Sequence, residues 1–290
     1  MSRQPPAGTG FFSSDLSVDE SLLVESAGFG ARAFVIGSCV YHTGSSYVGP
    51  GYGMMVPGPA GASRMAGLGG AWGGEFEATS AAMRDGRRLA LRRLGEHCSA
   101  SGGVGVVGVR ITSDSFGETG ATRRFLAIGT AIGPDSAAAR SLADHARLPF
   151  MSHLSGQDFY LLVQAGYMPV DVVIGSCVIY ARAQSFVNTV ANTKNMELET
   201  FTKALYTARE LAMERMQSEV IALGADGVVG VEMVEAAHNW GSASITEFFV
   251  LGTAIRQVSS EHRKLLPRLV VPLEDTVVRT SPSSIVREHQ

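Results

Sequence analysis

Two cysteines hold equivalent positions in a repeated tetrapeptide, and a thiol is the group in this sequence best suited to binding or redox chemistry. Cys39 and Cys177 each stand third in the sequence Gly-Ser-Cys-Val. As thiolates they could bind a soft metal ion or act as redox groups, with ligands contributed by several chains around a symmetry axis. The alternative is that both are small buried apolar residues, the usual state of a free cysteine.

A metal site at either cysteine lacks a local partner in the sequence. His42 follows Cys39 by three positions, an odd offset that places their side chains on opposite faces of a strand. The residue that matches His42 in the second copy is Tyr180, so no chelating pair is repeated. Soft-metal sites normally assemble several Cys or His ligands. Cys39 and Cys177 are therefore the candidate metal ligands, but the sequence does not define a complete ligand set for them. It predicts no cofactor other than a soft metal ion at these cysteines.

A predicted helix in the first copy carries the other candidates for chemistry. His97-Cys98 near its end is replaced by Glu-Val in the second copy, which favours a capping histidine beside a core cysteine. A row of arginines on this helix could hold an anionic partner. The alternatives are a solvated face, or an interface paired with Glu210 and Glu214 of the second copy. The members of the row are Arg84, Arg87, Arg88, Arg92 and Arg93.

The run Gly103–Gly108 spells GxGxxG, the pattern of a dinucleotide-binding turn. Such a site needs the glycines after a strand and at the start of a helix. Here they follow a helical pattern and lie in a strand-like run, so close packing of strands is predicted instead. No Ser/His/Asp or Cys/His arrangement has the pattern of a catalytic unit. The sequence therefore predicts no enzyme and no catalytic residue.

An internal duplication sets where all these groups lie. Ser101–Arg110 and Gly224–Glu232 are matching valine-rich runs, each placed after a helical pattern and before a run that ends in Gly-Thr-Ala-Ile. Each copy is predicted to form β-β-α-β-β, an α+β arrangement. The predicted divisions are a flexible N-terminus at 1–10, a first unit at 11–133 with a glycine-rich loop at 43–74, a helical linker at 134–148, a second unit at 149–257 and a C-terminal tail at 258–290.

The valine-rich strands are apolar on both faces, because side chains alternate along a strand and the valines fall at both parities. One helix can cover only one face of such a sheet. Full burial of one such side chain is worth about 1.5–3 kcal/mol, so a bare face would offset most of the stability of a domain. We therefore expect the two units to cover one another, within the chain, between chains, or both.

Composition favours a protein with a full hydrophobic core. Hydrophobic residues make up 45% of the 290 residues and charged residues 18%. The net charge of −3 argues against a dedicated nucleic-acid binder. Three cysteines without ligand spacing fit a reducing compartment, and neither a signal peptide nor a membrane-length apolar run is evident. We expect a cytoplasmic bacterial protein with no nucleic-acid or membrane partner.

Three motifs carry a family resemblance. Ala208–Ala212, Gly224–Val231 and the terminal Gly252–Ile255 together resemble the YbjQ-like family, which carries a heavy-metal-binding label. The resemblance covers both copies and implies two tandem dodecin-like α+β units, each a small sheet with one main helix packed on it. Single-unit relatives assemble as homopentamers, so a tandem chain would resemble two joined protomers. Five chains could then give two rings, each built from one kind of unit.

The prediction for function follows from these points. The chain is expected to be a non-catalytic, ring-forming structural or interaction protein, associating with itself as a homopentamer of tandem units. The alternative is a metal- or small-ligand-binding protein with sites between subunits, for which Cys39 and Cys177 are the candidate ligands.

Overall fold

The computed structural model of the chain describes residues 13–42, 74–115, 122–144, 149–182, 199–240 and 243–259. The predicted N-terminus at 1–10, nearly all of the glycine-rich loop and nearly all of the C-terminal tail lie outside these residues.

Each unit contains a long helix and three long strands, with short elements around them. Unit 1 consists of α1 (Val18–Ser26), β1 (Phe29–His42), β2 (Gly74–Glu75), α2 (Glu77–Ala100), β3 (Gly105–Ser115) and β4 (Thr122–Pro134). Helix α3 (Ala137–Asp144) follows unit 1. Unit 2 consists of β5 (Phe150–Met151), α4 (Gly156–Gln164), β6 (Tyr167–Arg182), α5 (Glu199–Ala222), β7 (Gly227–Trp240) and β8 (Ala243–Gln257).

The strands form two four-stranded sheets that exchange one short strand each. Sheet A has the order β1-β4-β3-β5, with β5 parallel to β3 and the other pairs antiparallel. Sheet B has the order β2-β6-β8-β7, with all pairs antiparallel. Strand β5 belongs to unit 2 and β2 to unit 1. The predicted α+β fold of two tandem units is confirmed, and the units are joined through their sheets as well as through the linker.

The two units repeat each other closely. A Cβ at Gly37 would overlap the carbonyl oxygen of Ala90 in α2, and one at Gly175 would overlap that of Ala212 in α5. Strand β1 of unit 1 and strand β6 of unit 2 therefore touch the backbone of the long helix of their own unit. Both long helices end before a glycine with positive φ, Gly102 (74°) and Gly224 (61°), the left-handed conformation that commonly ends a helix.

Helices α1 and α4 were absent from the β-β-α-β-β prediction. Ser17 and Glu20 form a capping box at the start of α1, and the Ser155 side chain accepts from the Asp158 amide at the start of α4. Both helices pack with α3 around three aromatic rings from the two units. Phe150 stacks on Phe159 with centroids 6.0 Å apart and meets Phe29 edge-on at 6.3 Å.

Helix α2 lies between the two sheets. One side packs on β1 and β4 of its own unit, and the other packs on β6 of unit 2. A single core cluster joins Val35 and Leu91 of unit 1 to Val172 and Ile174 of unit 2. Helix α5 packs on the far side of sheet B. The layers run sheet A, α2, sheet B and α5, which confirms the predicted covering of one unit by the other.

Candidate functional site

The two candidate cysteines lie in different layers. Cys39 is 5% exposed, faces α2, and its Sγ lies 3.2 Å from the Gly86 carbonyl oxygen, to which the thiol donates. Cys177 is fully buried in the cluster between sheet B and α5. Helix α2 and sheet B separate them, so the chain does not bring the two thiols together.

Burial disfavours the thiolate form at all three cysteines. It raises the pKa of Cys39, and it raises the pKa of Cys98 to about 11. Burial, followed by the nearby Glu75 carboxylate, raises the pKa of Cys177 to about 12. Metal binding requires the thiolate. Within the described ranges, no three His, Cys, Asp or Glu side chains are grouped to hold a metal ion, and the assignment of Cys39 and Cys177 as ligands stays a prediction.

The structure also locates His42, His97 and the GxGxxG run. His42 is exposed, whereas Cys39 is buried on the opposite face of β1. His97 lies in the last turn of α2, and its ring nitrogen Nδ1, 3.1 Å from the Ile36 amide nitrogen, accepts its proton and ties the helix to β1. Gly108 of the GxGxxG run has φ 66° at a bulge within β3, far from any helix start.

The interface between α2 and the outer face of sheet B contains a buried ion pair, Arg87 with Glu247. By outer face we mean the side of each sheet that points away from the long helix of its own unit. The Arg87 guanidinium donates to Glu247 Oε1 at 2.7 Å and to Ser176 Oγ at 2.9 Å. It also lies over the Phe249 ring, 4.0 Å from the centroid. The Arg87 and Glu247 side chains are only 4% and 5% exposed.

Desolvation lowers the pKa of the Arg87 guanidinium, and the Glu247 charge and hydrogen bond oppose that effect. Arginine keeps its proton in proteins even so. The buried pair therefore fixes how the two units sit against each other, because either charge alone would be buried without compensation.

A second arginine closes the same interface at its edge. Arg88 Nε donates to Glu219 Oε1 at 3.0 Å, and its Nη1 donates to the Val172 carbonyl at 2.9 Å. The prediction of an interface for the arginine row is thus confirmed for Arg87 and Arg88. The predicted acidic partners were wrong: Glu247 and Glu219 bind these arginines, and Glu210 and Glu214 are exposed on α5.

The exchanged strand β2 brings a carboxylate of unit 1 to unit 2. Arg215 of α5 forms a bidentate pair with Glu75, with Nη2 2.9 Å from Oε2, and donates to the Ser176 carbonyl at 2.7 Å. Burial opposes ionisation of Glu75, but the hydrogen bonds from Arg215 and Ser80 outweigh it and lower its pKa. Glu75 therefore serves a contact between units.

The outer face of sheet A is not covered by any part of the chain that the structure describes. Ile36 is 44% exposed, whereas its equivalent Ile174 under α2 is fully buried. Val40 is 55% exposed, whereas its equivalent Val178 is 5% exposed. This face of sheet A is thus equivalent to the face of sheet B that α2 buries, and nothing in the described chain covers it.

The matching surface lies at the other end of the chain, on α5 and β7. Val231 of β7 is 42% exposed, although its equivalent Val109 in β3 is 2% exposed beside β5. The outer side of α5 forms an open groove. It is lined by Tyr206, Arg209, Glu210, Met213, Glu214 and Gln217.

The fold defines a duplicated α+β protein in which the long helix of unit 1 packs against the sheet of unit 2. The family model described as "Putative heavy-metal-binding" matches residues 42–134 and 167–258, more than half of the chain. The chain therefore belongs to the YbjQ family and carries its domain twice. No helix among the described residues is both long and apolar enough to span a bilayer.

Three relatives set this membership in context. The chain is 35% identical over 264 residues to the Encapsulin nanocompartment protein Rv1762c of Mycobacterium tuberculosis, covering 91% of this chain and 92% of that protein. It is 33% identical over 99 residues to a UPF0145 protein of Psychrobacter arcticus, covering 33% of this chain and 60% of that protein. A UPF0145 protein of Helicobacter hepaticus is 35% identical over 63 residues, or 22% of this chain and 58% of that protein. The similarity to the first extends over both units, and the other two match about one unit or less.

Proposed function

We propose that this chain is a non-catalytic structural subunit that associates with itself into a closed ring. The observation that carries the proposal is the position of α2, which is covered on both sides, while the outer face of sheet A and the outer side of α5 each present half of the same contact. Apolar surface of this kind usually marks an interaction site.

A ring is favoured because the contact inside the chain joins unlike surfaces. Unit 1 contributes its helix and unit 2 contributes the outer face of its sheet, so the contact is heterologous and closes only by rotation about an axis. A ring built only from unit 1 would need the outer side of α2 for contact with the next unit 1. Sheet B of the same chain already covers that side of α2. A homopentamer of chains would instead place ten units in one ring, with units 1 and 2 alternating.

The relative from Mycobacterium tuberculosis suggests where such an assembly works. Its name describes an encapsulin nanocompartment protein, and the similarity covers nearly the whole of both chains. We propose that this chain also acts with a protein compartment, as an interaction module in the cytoplasm, without a nucleic-acid or membrane partner. Three free and buried cysteines support a reducing location.

A non-catalytic role is supported by the way the buried polar groups are used. Among the described residues, every buried side-chain nitrogen or oxygen atom has a hydrogen-bond partner. The buried charges, Arg87 and Glu247, hold the units together. None of these groups faces an open cleft where a substrate could reach it.

A metal- or small-ligand-binding protein is the second candidate, favoured by the description of the family model. Cys39 and Cys177 remain its proposed ligands, although burial keeps both thiols protonated in the single chain. Metal analysis of protein purified without a tag tests it. Stoichiometric soft metal that is lost in Cys39→Ser and Cys177→Ser would favour this candidate over a purely structural role.

The mass of the protein in solution tests the first candidate. We expect native mass spectrometry and light scattering of the full chain to show one discrete species several times the mass of the 30.6 kDa chain. A five-chain particle would support the homopentamer. A chain that stays monomeric across the accessible concentration range would overturn the proposal.

A further inference from the structure

We propose that the partner of the outer face of sheet A is a second copy of this chain, which contributes its α5 and β7 and so repeats between chains the contact that unit 1 and unit 2 make within one. The inference rests on the proposed self-association and adds the surfaces, the order of the units and the residues that set them.

The apolar parts of the two free surfaces correspond to those of the buried contact. In the chain, Leu91 of α2 is 1% exposed and belongs to the cluster that contains Ile174 and Val178 of sheet B. Met213 holds the place of Leu91 on α5 and lines the open groove. Ile36 and Val40 hold the places of Ile174 and Val178 on sheet A. The second contact thus has the same kind of apolar centre as the first.

Within the described residues, the β7 edge of sheet B is less covered than the equivalent β3 edge of sheet A. A Cβ at Gly105 of β3 would overlap the Phe150 ring, which unit 2 lays over that edge. The equivalent Gly227 of β7 has only Ile255 of its own unit nearby, 3.9 Å from such a Cβ. Bare strand edges pair readily with another chain. β7 is therefore an edge without the cover that β3 receives from unit 2.

Ser14 of unit 1 makes the same contact as its equivalent Ser152 of unit 2. Ser152 Oγ lies 3.3 Å from Thr253 Oγ1, just after unit 2 has paired with β3 of unit 1. Ser14 Oγ lies 3.3 Å from Thr130 Oγ1. The two units therefore repeat this side-chain contact, to β4 in unit 1 and to β8 in unit 2.

The polar groups at the rim of the proposed contact are complementary. Within the chain, Arg88 of α2 binds Glu219. Glu210 holds the place of Arg88 on α5, and His97 holds the place of Glu219 beside sheet A. His97 Nδ1 accepts the Ile36 amide proton, so its Nε2–H is left to donate to the Glu210 carboxylate.

The replaced residues also favour alternation of units 1 and 2. An α5 helix laid on sheet B would bring Glu210 against Glu219, two like charges, and this disfavours that pairing. At the centre of the proposed contact, Arg124 replaces Glu247 and is held by Asp114 at 3.0 Å. Arg209, in the place of Arg87, would meet this exposed pair, in which Asp114 offsets the like charge of Arg124. The contact between chains consequently lacks the buried ion pair, and it should be the weaker and more salt-sensitive of the two.

The test compares the assembly of the full chain with that of single variants on each surface. Val40→Asp places a charge on the outer face of sheet A, and Glu210→Arg replaces the acceptor for the His97 Nε2–H with a donor. Ile221→Asp is the matched control, because Ile221 is 78% exposed on the same helix and its equivalent Ser99 is exposed as well. We expect the dissociation constant of the assembly to rise about tenfold or more in the first two variants and to stay unchanged in the control.

Adding His97→Glu to Glu210→Arg restores an opposite pair of the kind that Arg88 and Glu219 make, and should recover assembly. Far-UV circular dichroism of each variant shows that the fold is intact. If the wild type assembles but Val40→Asp and Glu210→Arg assemble equally well, these surfaces are not the interface, and the proposed function survives. If the wild type is monomeric, the proposed function fails and this inference with it.

Discussion

Arg87 and Glu247 come from different units and lie 160 positions apart in the sequence, yet their side chains form a 2.7 Å ion pair that is almost completely buried. The pair lies between α2 and sheet B, with the Phe249 ring against the guanidinium. Its position makes the relative placement of the units depend on two side chains that must be present together.

Loss of either partner should therefore destabilise the chain strongly. Arg87→Ala or Glu247→Ala leaves one buried charge unpaired, and we expect the free energy of unfolding to fall by about 3–5 kcal/mol. Urea denaturation followed by circular dichroism measures the change. Arg92→Ala is the control, since Arg92 is 70% exposed in its pair with Glu96 and should cost no more than about 0.5 kcal/mol. Equal effects at Arg87 and Arg92 would show that the buried pair has no special role.

The two equivalent glycines at the sheet edges should respond differently to one methyl group. Gly105→Ala forces the added carbon into the Phe150 ring, and we expect a loss of about 1–3 kcal/mol in unfolding free energy. Gly227→Ala meets no atom closer than 3.9 Å within the chain, so the isolated chain should unfold at the wild-type midpoint. Thermal unfolding at a dilution where the chain is monomeric compares the two. A large loss at Gly227 alone would contradict the assigned cover of β3 and the open edge of β7.

The buried thiols should be inert in the folded protein. Only the thiolate is alkylated, and with pKa values of about 11 for Cys98 and about 12 for Cys177, both remain protonated well above neutral pH. We expect iodoacetamide at about pH 8 to leave both unlabelled in native protein and to label both after unfolding, as read by mass spectrometry of peptides. Native labelling at the rate of an exposed thiol would revive a redox or metal-binding role for Cys177.

The duplication and the long elements could be predicted from the sequence because their signals are local. Repeated valines at both parities indicated a sheet covered on both faces, and the matching runs at Ser101–Arg110 and Gly224–Glu232 indicated two copies of one unit. The capping box at Ser17 and Glu20 was an available signal for α1, but the short helix lacks the long apolar stripe on which the assignment of helices relied.

What the sequence left undetermined depends on contacts between distant residues. Two-residue strands such as β2 and β5 have no periodicity, so the exchange of strands between the sheets could not be predicted. The partners of Arg87 and Arg88 were also unpredictable. Glu247 lies in a strand, and only the docking of α2 on sheet B brings it to Arg87.

His153 should make the stability of unit 2 depend on pH. Its Nδ1 lies 2.7 Å from Thr253 Oγ1 and its Nε2 2.5 Å from the Gly230 carbonyl oxygen. Burial lowers its pKa, although the Gly230 carbonyl and the charges of Glu232 and Asp158 oppose the shift. A histidine whose folded pKa is lowered contributes stability that is complete above its unfolded value of about 6.5 and is lost as the pH falls through its folded value.

The urea midpoint of the wild type should consequently decrease as the pH is lowered below about 6.5. His153→Gln can keep the bond to Gly230 without titrating, and it should flatten this decrease. His42→Gln serves as the control, because His42 is exposed on β1. A decrease that is as steep in His153→Gln as in the control would show that other groups set the pH dependence.

Cross-linking between chains can locate the proposed contact directly. Within one chain, the Ser80 hydroxyl of α2 lies 2.9 Å from the Val178 amide nitrogen, so these two positions touch across the interface. Their equivalents are Thr202 on α5 and Val40 on sheet A. We expect an oxidised mixture of Thr202→Cys chains and Val40→Cys chains to form a disulfide-linked pair on a non-reducing gel. Ile221→Cys in place of Thr202→Cys should not cross-link, because that position lies outside the contact. Efficient cross-linking of Ile221→Cys, or none by Thr202→Cys in protein that assembles, would place the contact elsewhere on the chain.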